Sequence, residues 1–158
     1  MMFHASIPAD NPQRVAEAIA EIWGGEAFRF PPWPGAYVAM AGDDRSSTVE
    51  VYPRTQTMVP GEDEQPTGPR LDESPRQFVA FHIAIGSPKT VEEVIAIGER
   101  EGWRTKYFSR GDWFDVIELW VENRVLVEVM TEDMQVRYRK NVNLEMWRWT
   151  KEAPTSAT

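Results

Sequence analysis

The chain of 158 residues contains no cysteine, which excludes disulfides, thiolate metal ligands and cysteine nucleophiles. No apolar run approaches the roughly 18 residues that a membrane-spanning helix needs, and the N-terminus lacks the basic-then-apolar pattern of a signal peptide. Basic residues are also few, because 17 Lys and Arg face 25 Asp and Glu, and the net charge is −8. Nucleic acids and anionic membranes select clustered Lys and Arg, so neither is expected as a partner. We expect a soluble, cytoplasmic protein.

Histidine occurs only twice, and both copies stand in similar segments. Residues 3–10 read FHASIPAD, and residues 81–88 read FHIAIGSP. Each segment begins with Phe-His, continues through small and apolar residues, and stops at a proline or at Gly-Ser-Pro. The two segments therefore indicate a strand that occurs twice in the chain.

The elements predicted after each of these strands also repeat. A helix that starts at Asn-Pro follows the first strand and ends at two glycines, and a second helix that ends at Gly102 follows the other strand. Three strand candidates, separated by turn residues, come after each helix. The sequence thus predicts an α+β protein with two tandem βαβββ modules, which span residues 1–53 and 78–130.

Three other segments complete the predicted organisation. Residues 54–77 contain four prolines and almost no apolar side chains, which is typical of a linker or a long surface loop. Residues 131–150 place apolar side chains at helical spacing, and we expect a C-terminal helix there. Residues 151–158 are expected to be a disordered tail.

The two histidines are 78 positions apart, and so are two glutamates in the last strands of the modules. These strands read TVEVY and LVEVM, and both contain Val-Glu-Val, with Glu50 in the first and Glu128 in the second. The same offset recurs at both ends of each module. His4 with Glu50 and His82 with Glu128 are therefore equivalent pairs.

Alternation along the strands decides which way each side chain points. Branched and aromatic residues alternate with the His and Glu residues and are predicted to pack beneath the helices, and Phe3, Val79 and Phe81 are among them. The two imidazoles and the two carboxylates then point to the other side of the sheet. If that side curves into a trough, these four groups converge in it.

Two neutral imidazoles and two carboxylates suit Zn, Ni, Co, Mn or Fe, because they combine nitrogen donors with hard oxygen donors. Four protein ligands on an octahedral ion leave two adjacent positions for two neighbouring oxygens of a substrate. A glutamate at the edge of such a site is a candidate base, and the sequence does not choose between Glu50 and Glu128. The alternative is that each histidine only hydrogen-bonds a neighbour on its strand.

This duplicated βαβββ pattern, with a histidine on each first strand and a glutamate on each last strand, resembles the vicinal oxygen chelate superfamily. That group includes glyoxalase I, methylmalonyl-CoA epimerase, extradiol dioxygenases and the fosfomycin and bleomycin resistance proteins. The resemblance implies eight strands in a partly closed, barrel-like mixed sheet with a divalent metal on its floor. In bacterial glyoxalase I the metal ligands come in the same order as His4, Glu50, His82 and Glu128 here.

The resemblance further implies a metal-dependent lyase or isomerase of the glyoxalase I or epimerase type, and a homodimer. Its substrate would be a small molecule with two neighbouring oxygens, and its metal Ni, Zn, Co or Mn. A ring-cleaving dioxygenase that uses Fe is the alternative among enzymes.

The alternative from another class is a metal-free protein that sequesters a small hydrophobic ligand, as bleomycin resistance proteins do. The seven tryptophans favour it, and so does the stretch Val-Glu-Asn-Arg at 121–124, where the family often has Asp-Pro-x-Gly. The net charge of −8 would then suit a basic ligand.

Glu118 and Trp120 are further candidates for the trough. They alternate with Ile117, Leu119 and Val121, which are predicted to face the helices. A carboxylate beside an indole is suited to line a pocket for an apolar or aromatic substrate. A salt bridge at the sheet edge and a tryptophan at the rim account for the same pattern equally well.

Overall fold

The computed structural model describes residues 2–148, and its first module is one mixed four-stranded sheet with a helix on one side. Across the sheet the strands lie in the order first, fourth, third and second. The first strand is parallel to the fourth, and the other two neighbouring pairs are antiparallel. In chain order the elements are β1 (His4–Ala9), α1 (Pro12–Trp23), β2 (Glu26–Arg29), β3 (Tyr37–Met40) and β4 (Thr48–Pro53).

A small antiparallel hairpin lies between the modules and consists of β5 (Gln56–Val59) and β6 (Gly68–Leu71). The segment predicted as a linker or long loop, residues 54–77, therefore contains a sheet of its own. The two strands have four residues each and few apolar side chains, so alternation in the sequence does not indicate them.

The second module repeats the topology of the first, so the prediction of two tandem βαβββ modules is confirmed. Its edge strand is again parallel to its last strand, and its other pairs are antiparallel. Within residues 2–148 no strand of one module pairs with a strand of the other, and a closed barrel is not formed. The elements are β7 (Ile83–Gly86), α2 (Val91–Glu101), β8 (Thr105–Ser109), β9 (Asp115–Val121) and β10 (Val125–Met130).

The C-terminal helix expected over 131–150 is interrupted, and it forms α3 (Glu132–Asn141) and α4 (Leu144–Arg148). Val142 leaves the helical conformation, and the Asn143 side chain donates to the carbonyl of Lys140, which satisfies one of the terminal carbonyls. The predicted disordered tail, residues 151–158, lies outside the described residues. No helix of residues 2–148 is long and apolar enough to cross a membrane.

Local sequence sets where the two module helices begin and end. Asn11 accepts a hydrogen bond from a backbone N–H in the first turn of α1. Thr90 and Glu93 form a reciprocal capping box at the start of α2. Each helix ends at a glycine in the left-handed conformation, with φ 70° at Gly24 and φ 75° at Gly102.

The faces of the strands follow the predicted alternation in the centre of each sheet and depart from it at two strand starts. Branched residues beneath the helices are buried. Phe3, Val79 and Phe81, which were predicted to pack there, are instead 60%, 48% and 47% exposed. That prediction is wrong because β1 and β7 begin only after these residues, so the alternation does not extend back to them.

Contacts at the start of α1 join the two modules, and we name them the module clasp: Asp10, Asn11, Arg54, Glu122 and Arg124. Arg54 Nε lies 2.7 Å from the Asp10 carboxylate, and Arg124 binds the same carboxylate. Glu122 accepts hydrogen bonds from the backbone N–H groups of Asp10 and Asn11 at 2.6 and 2.8 Å. A carboxylate of the second module therefore caps the helix of the first module.

The clasp works together with one continuous hydrophobic core. Buried residues of both modules form a single cluster, in which α1 and α2 contact each other.

The hydrogen bond from Arg54 lowers the pKa of Asp10 against the effect of its partial burial, and the charge of Arg124 adds to the shift. Since the folded-state pKa is lowered, this stabilising contribution is present at neutral pH and is lost as the pH falls through that pKa.

Glu122→Ala should lower the free energy of unfolding by about 1–2 kcal/mol, because two N–H groups at the start of α1 lose their acceptor. Urea denaturation at pH 7 measures this change. Glu62→Ala is the control, since Glu62 is exposed in the loop of the hairpin. Equal effects of the two substitutions would contradict a role of Glu122 in joining the modules.

Candidate functional site

Each sheet has one face that its helix does not cover, and we call these faces the first and second trough. Strand register places the predicted polar residues on them, opposite buried residues such as Ile117 and Leu119. The first trough carries His4, Ser6, Glu26, Phe28, Val38 and Glu50. The second trough carries Lys106, Phe108, Glu118, Trp120 and Glu128.

Glu50 lies at the centre of the first trough, where β4 runs between β1 and β3. Its Oε2 accepts hydrogen bonds from Ser6 Oγ at 3.0 Å and from the Tyr52 hydroxyl at 2.9 Å. Ser6 is the direct partner of Glu50 in the parallel pairing, and Tyr52 is two residues further along β4 on the same face. No described residue donates to Oε1, so one oxygen of this carboxylate remains available to a ligand.

Tyr52 is held firmly as a donor to Glu50. It is 8% exposed and packs edge-on against Phe30 and Trp33, with ring centroids 6.1 and 5.0 Å away. Burial, together with the hydrogen bond to Glu50, raises the pKa of the Tyr52 phenol. The Trp33 indole N–H in turn donates to Gln56, so the base of the hairpin supports this aromatic group. Tyr52 therefore keeps its proton at neutral and mildly alkaline pH.

His4 shares a cavity of about 260 Å³ with Glu50, and Phe30, Val38 and Met40 also line it. In the parallel pairing of β1 with β4, His4 stands opposite Thr48. His4 is therefore two residues away from the position opposite Glu50, which Ser6 occupies. The first trough thus forms half of a site, with an imidazole and a carboxylate at the edge of one cavity.

Glu118 is the centre of an ionic network in the second trough. Its carboxylate accepts hydrogen bonds from Arg110 Nη2 at 2.7 Å, from Arg104 Nη1 at 3.3 Å and from Trp120 Nε1 at 3.2 Å. Burial alone would raise the pKa of Glu118, but the hydrogen bonds from Arg110, Trp120 and Arg104 outweigh it and lower that pKa. Glu118 is therefore ionised and fully partnered at neutral pH.

Glu128 occupies the position in the second module that Glu50 occupies in the first, but its neighbours carry no hydroxyl. Ala84 stands opposite it on the parallel strand, and Met130 lies two residues further on. Arg110 Nη2 is 3.8 Å from its carboxylate. The two carboxylates that the sequence treats as equivalent therefore have different environments.

His82 precedes β7, is exposed, and has its Nδ1 3.1 Å from the carbonyl oxygen of Ala80. Because a carbonyl only accepts, this contact assigns the proton to Nδ1 and leaves Nε2 with a free lone pair in the neutral ring. Histidines that bind metals commonly have this arrangement, with the second ring nitrogen bonded to a carbonyl or carboxylate.

The four predicted metal ligands do not come together within one chain. Among residues 2–148, no group of three or more His, Asp or Glu is placed to hold a metal ion. The donor types suit a divalent metal, and Glu50 Oε1 and His82 Nε2 are available, so the chemistry of the set fits. Of the four, only His4 and Glu50 share a cavity among the described residues, and no hydrogen bond or cavity there joins His82, which precedes β7, to Glu128.

A further cavity of about 560 Å³ lies at the seam of the modules, where β1 and β7 are the neighbouring edge strands. His4 and Ala84 line it together with Ser87 and Gln135, but neither Glu50 nor Glu128 does. This cavity therefore lacks the carboxylates that the predicted chemistry needs.

The two troughs differ in charge. The first carries two carboxylates, Glu26 and Glu50, and no Lys or Arg in its strands faces it. The second combines two carboxylates with three cationic side chains, so positive charge prevails there in a chain whose net charge is −8. The cations are Arg104, Lys106 and Arg110.

Sequence reasoning placed Ser6 on the His4 face of the first strand and missed Tyr52, Arg104 and Arg110 as members of these surfaces. Each was detectable in principle, because it lies an even number of residues from a trough residue on its own strand or just beyond that strand's end. What the sequence does not carry is the register between strands, which brings Ser6 beside the carboxylate.

The sequence matches no protein-family profile and no curated protein. Solved structures do match. A lactoylglutathione lyase from Agrobacterium tumefaciens aligns with a TM-score of 0.55 and 12% identity, over 84% of this chain and 94% of that chain. The fosfomycin resistance protein FosX from Listeria monocytogenes aligns with a TM-score of 0.53 and 12% identity, over 87% of this chain and 97% of that one.

The trypanothione-dependent glyoxalase I of Leishmania major aligns over 96% of this chain and 98% of its own, with a TM-score of 0.51 and 16% identity. Identities this low concern the fold. The chain thus has the fold of these glyoxalase and fosfomycin resistance proteins, and the resemblance seen in the sequence is confirmed at the level of the fold.

Tyr52→Phe should lower the free energy of unfolding by about 1.5 kcal/mol, because a hydrogen bond from a buried phenol to a partly buried carboxylate is lost. In a Glu50→Gln background the same substitution should cost less than half as much, since the acceptor is no longer charged. Urea denaturation of the four proteins measures the coupling. Tyr37→Phe is the control, because its hydroxyl bonds only the exposed Gln13 side chain. Costs that are equal in both backgrounds would rule out Glu50 as the partner that matters.

Proposed function

We propose that this protein is a divalent-metal-dependent lyase or isomerase of the glyoxalase I or epimerase type, acting on a small molecule with two neighbouring oxygens. The observation that carries the proposal is the state of Glu50. Its Oε2 is saturated by two hydroxyl groups, while its Oε1 stays open in the cavity that His4 also lines. A structural carboxylate would gain nothing from keeping one oxygen without a partner.

The metal would be held by His4 and Glu50 from one trough and by His82 and Glu128 from another. Ni, Zn, Co or Mn fits this mixed nitrogen and oxygen donor set. When bound, such an ion would supply positive charge beside the substrate oxygens.

Glu50 is the carboxylate suited to act as the base. When it does not bind the metal, Oε1 would take up the proton from the carbon that bears a hydroxyl group and return it to the neighbouring carbonyl carbon. The hydroxyl proton would move to the other substrate oxygen, so the net reaction is an isomerisation without a redox partner. Ser6 and Tyr52 keep the carboxylate in one orientation during both transfers. Glu128 has no hydroxyl partner on the neighbouring strand to orient it, and Arg110 lies 3.8 Å away.

The second half of each site comes from a second copy of the chain. Within one chain the Glu50 cavity is lined by the first module and the Glu118 cavity by the second, and no group of three or more potential metal ligands forms among residues 2–148. An acidic first trough and a basic second trough are complementary, so two copies can pair first trough to second trough twice. Exposed Phe28 and Phe78 would be covered in such a homodimer.

Metal content tests the donor set directly. Elemental analysis of protein purified without chelator should find about one Ni, Zn, Co or Mn per chain in the wild type. His4→Ala, His82→Ala and Glu50→Ala should each lose at least about 90% of it, and added metal should no longer raise their thermal stability. Glu26→Ala, which removes a carboxylate outside the donor set from the same trough, should keep the metal.

The proposed homodimer is tested by measuring the self-association of the protein. Light scattering should give about twice the monomer mass of 18.1 kDa. Lys106→Glu should weaken the dimer about tenfold or more, because it places a like charge opposite the acidic trough. Lys140→Glu, the same charge change on the exposed side of α3, should leave the dimer intact. A wild-type monomer, or equal effects of the two substitutions, would contradict the dimer.

A metal-free binding protein of the resistance type is the second candidate, and the position of Arg110 favours it. A guanidinium 3.8 Å from Glu128 already supplies positive charge where a metal would sit. Protein that contains no metal and is indifferent to chelator would support this function. Iron with oxygen consumption would instead support the ferrous dioxygenase.

A further inference from the structure

We propose that Arg104, with Arg110 beside it, binds the anionic group of an aromatic ligand whose ring lies against Trp120 and Phe78. The inference rests on the proposed function, since it names the substrate class of the same cleft. It concerns the second trough, whereas the metal ligand chemistry of Glu50 and His4 belongs to the first.

A cavity of about 370 Å³ lies on this trough, and Phe78, Arg104, Glu118, Trp120 and Asn123 line it. Pockets for small ligands begin at roughly 300 Å³, and they combine apolar walls with a few placed polar groups. This cavity has two aromatic side chains on one side and a guanidinium on another. Its composition therefore suits a ring that carries one charged substituent.

Arg104 and Arg110 bind the Glu118 carboxylate and still have unused hydrogen-bond donors. The side chain of Glu118 is 14% exposed, whereas those of Arg104 and Arg110 are 47% and 40% exposed. A guanidinium has five N–H donors, and each of these arginines gives one hydrogen bond to Glu118. The remaining donors have no hydrogen-bond acceptor among the described residues, so they are available to a carboxylate or a similar anion.

Both guanidinium groups are held in position before any ligand arrives. Each lies 5.7 Å from the centroid of the Phe108 ring, at cation–π distance. Asn123 accepts from the backbone N–H of Arg104 at 2.8 Å and so ties down the chain at that residue. Arg137 of α3 binds the carbonyl of Gly111, which fixes the loop after Arg110. Binding of a ligand therefore costs little conformational entropy of these two side chains.

The aromatic wall has a defined orientation as well. Trp120 Nε1 donates to Glu118 at 3.2 Å, and this contact sets the plane of the indole. Phe78 stands edge-on to it at 6.1 Å and is 59% exposed. Two rings at right angles leave one face of each for a third ring.

The sign of the local charge selects an anion. Arg104, Lys106 and Arg110 outnumber Glu118 and Glu128 on this trough, although the whole chain carries −8. The net charge alone suggests a basic ligand, but the charge at the cavity decides what enters it. A basic ligand would meet the Arg104 guanidinium in the cavity wall, with Arg110 beside it.

Benzoate, benzamide and benzamidine test the inference, because they have the same shape but differ in charge. Benzoate is negative, benzamide is neutral and benzamidine is positive. Each is titrated into ¹⁵N-labelled full-length protein with and without EDTA, and the indole N–H signal of Trp120 is followed. Trp120→Phe identifies that signal by its loss. Benzoate should bind at least about tenfold more tightly than benzamide, and benzamidine should not bind.

Arg104→Gln should weaken benzoate at least about tenfold, and Arg104→Lys, which keeps the charge and protects the fold around Glu118, should weaken it less. Arg45→Gln is the control, since Arg45 is 67% exposed and lies outside this trough. No response to benzoate, equal affinity for benzamide, or an equal loss in Arg45→Gln would overturn the inference. Binding that EDTA abolishes and Arg104→Gln leaves intact would also overturn it, while the proposed metal site would stand.

Discussion

The module clasp is the contact on which the functional surfaces depend. Glu122 of the second module caps α1 of the first, and Asp10 lies between Arg54 and Arg124 on the same junction. The Glu50 cavity is lined by the first module and the Glu118 cavity by the second, and no group of three or more potential metal ligands forms among residues 2–148. If one ion binds all four predicted ligands, as we propose, a second copy of the chain must bring the other trough opposite.

The two modules carry Glu50 and Glu128 at equivalent positions but differ in the side chains around these carboxylates. In the first, Ser6 and Tyr52 orient Glu50 and leave one oxygen open. In the second, the corresponding hydroxyls are absent, and arginines, aromatic rings and Glu118 occupy the surface. In the proposed function the first module supplies the base, and the second supplies the pocket for the substrate.

The fold could be predicted from the sequence because local signals mark the helices and strands of each module. The Asn-Pro start of α1, the glycines that end both helices and the recurring Val-Glu-Val strands predict the element order correctly. The strands of the hairpin and the exposure of Phe3 and Phe81 were not accessible, because strand starts depend on tertiary pairing. The difference between Glu50 and Glu128 was also hidden, since it arises from side chains on neighbouring strands whose register the sequence does not specify.

A mixed dimer tests the central claim, that each site combines the first trough of one chain with the second trough of another. One chain carries His4→Ala and Glu50→Ala, and its partner carries His82→Ala and Glu128→Ala, with different tags for purification of the mixed species. If the sites form between chains, one intact site is restored, and elemental analysis should find about half a metal ion per chain, with almost none in either parent homodimer. A mixed dimer without metal, beside a wild type that contains it, would contradict the account, because a site within each chain cannot be restored by pairing.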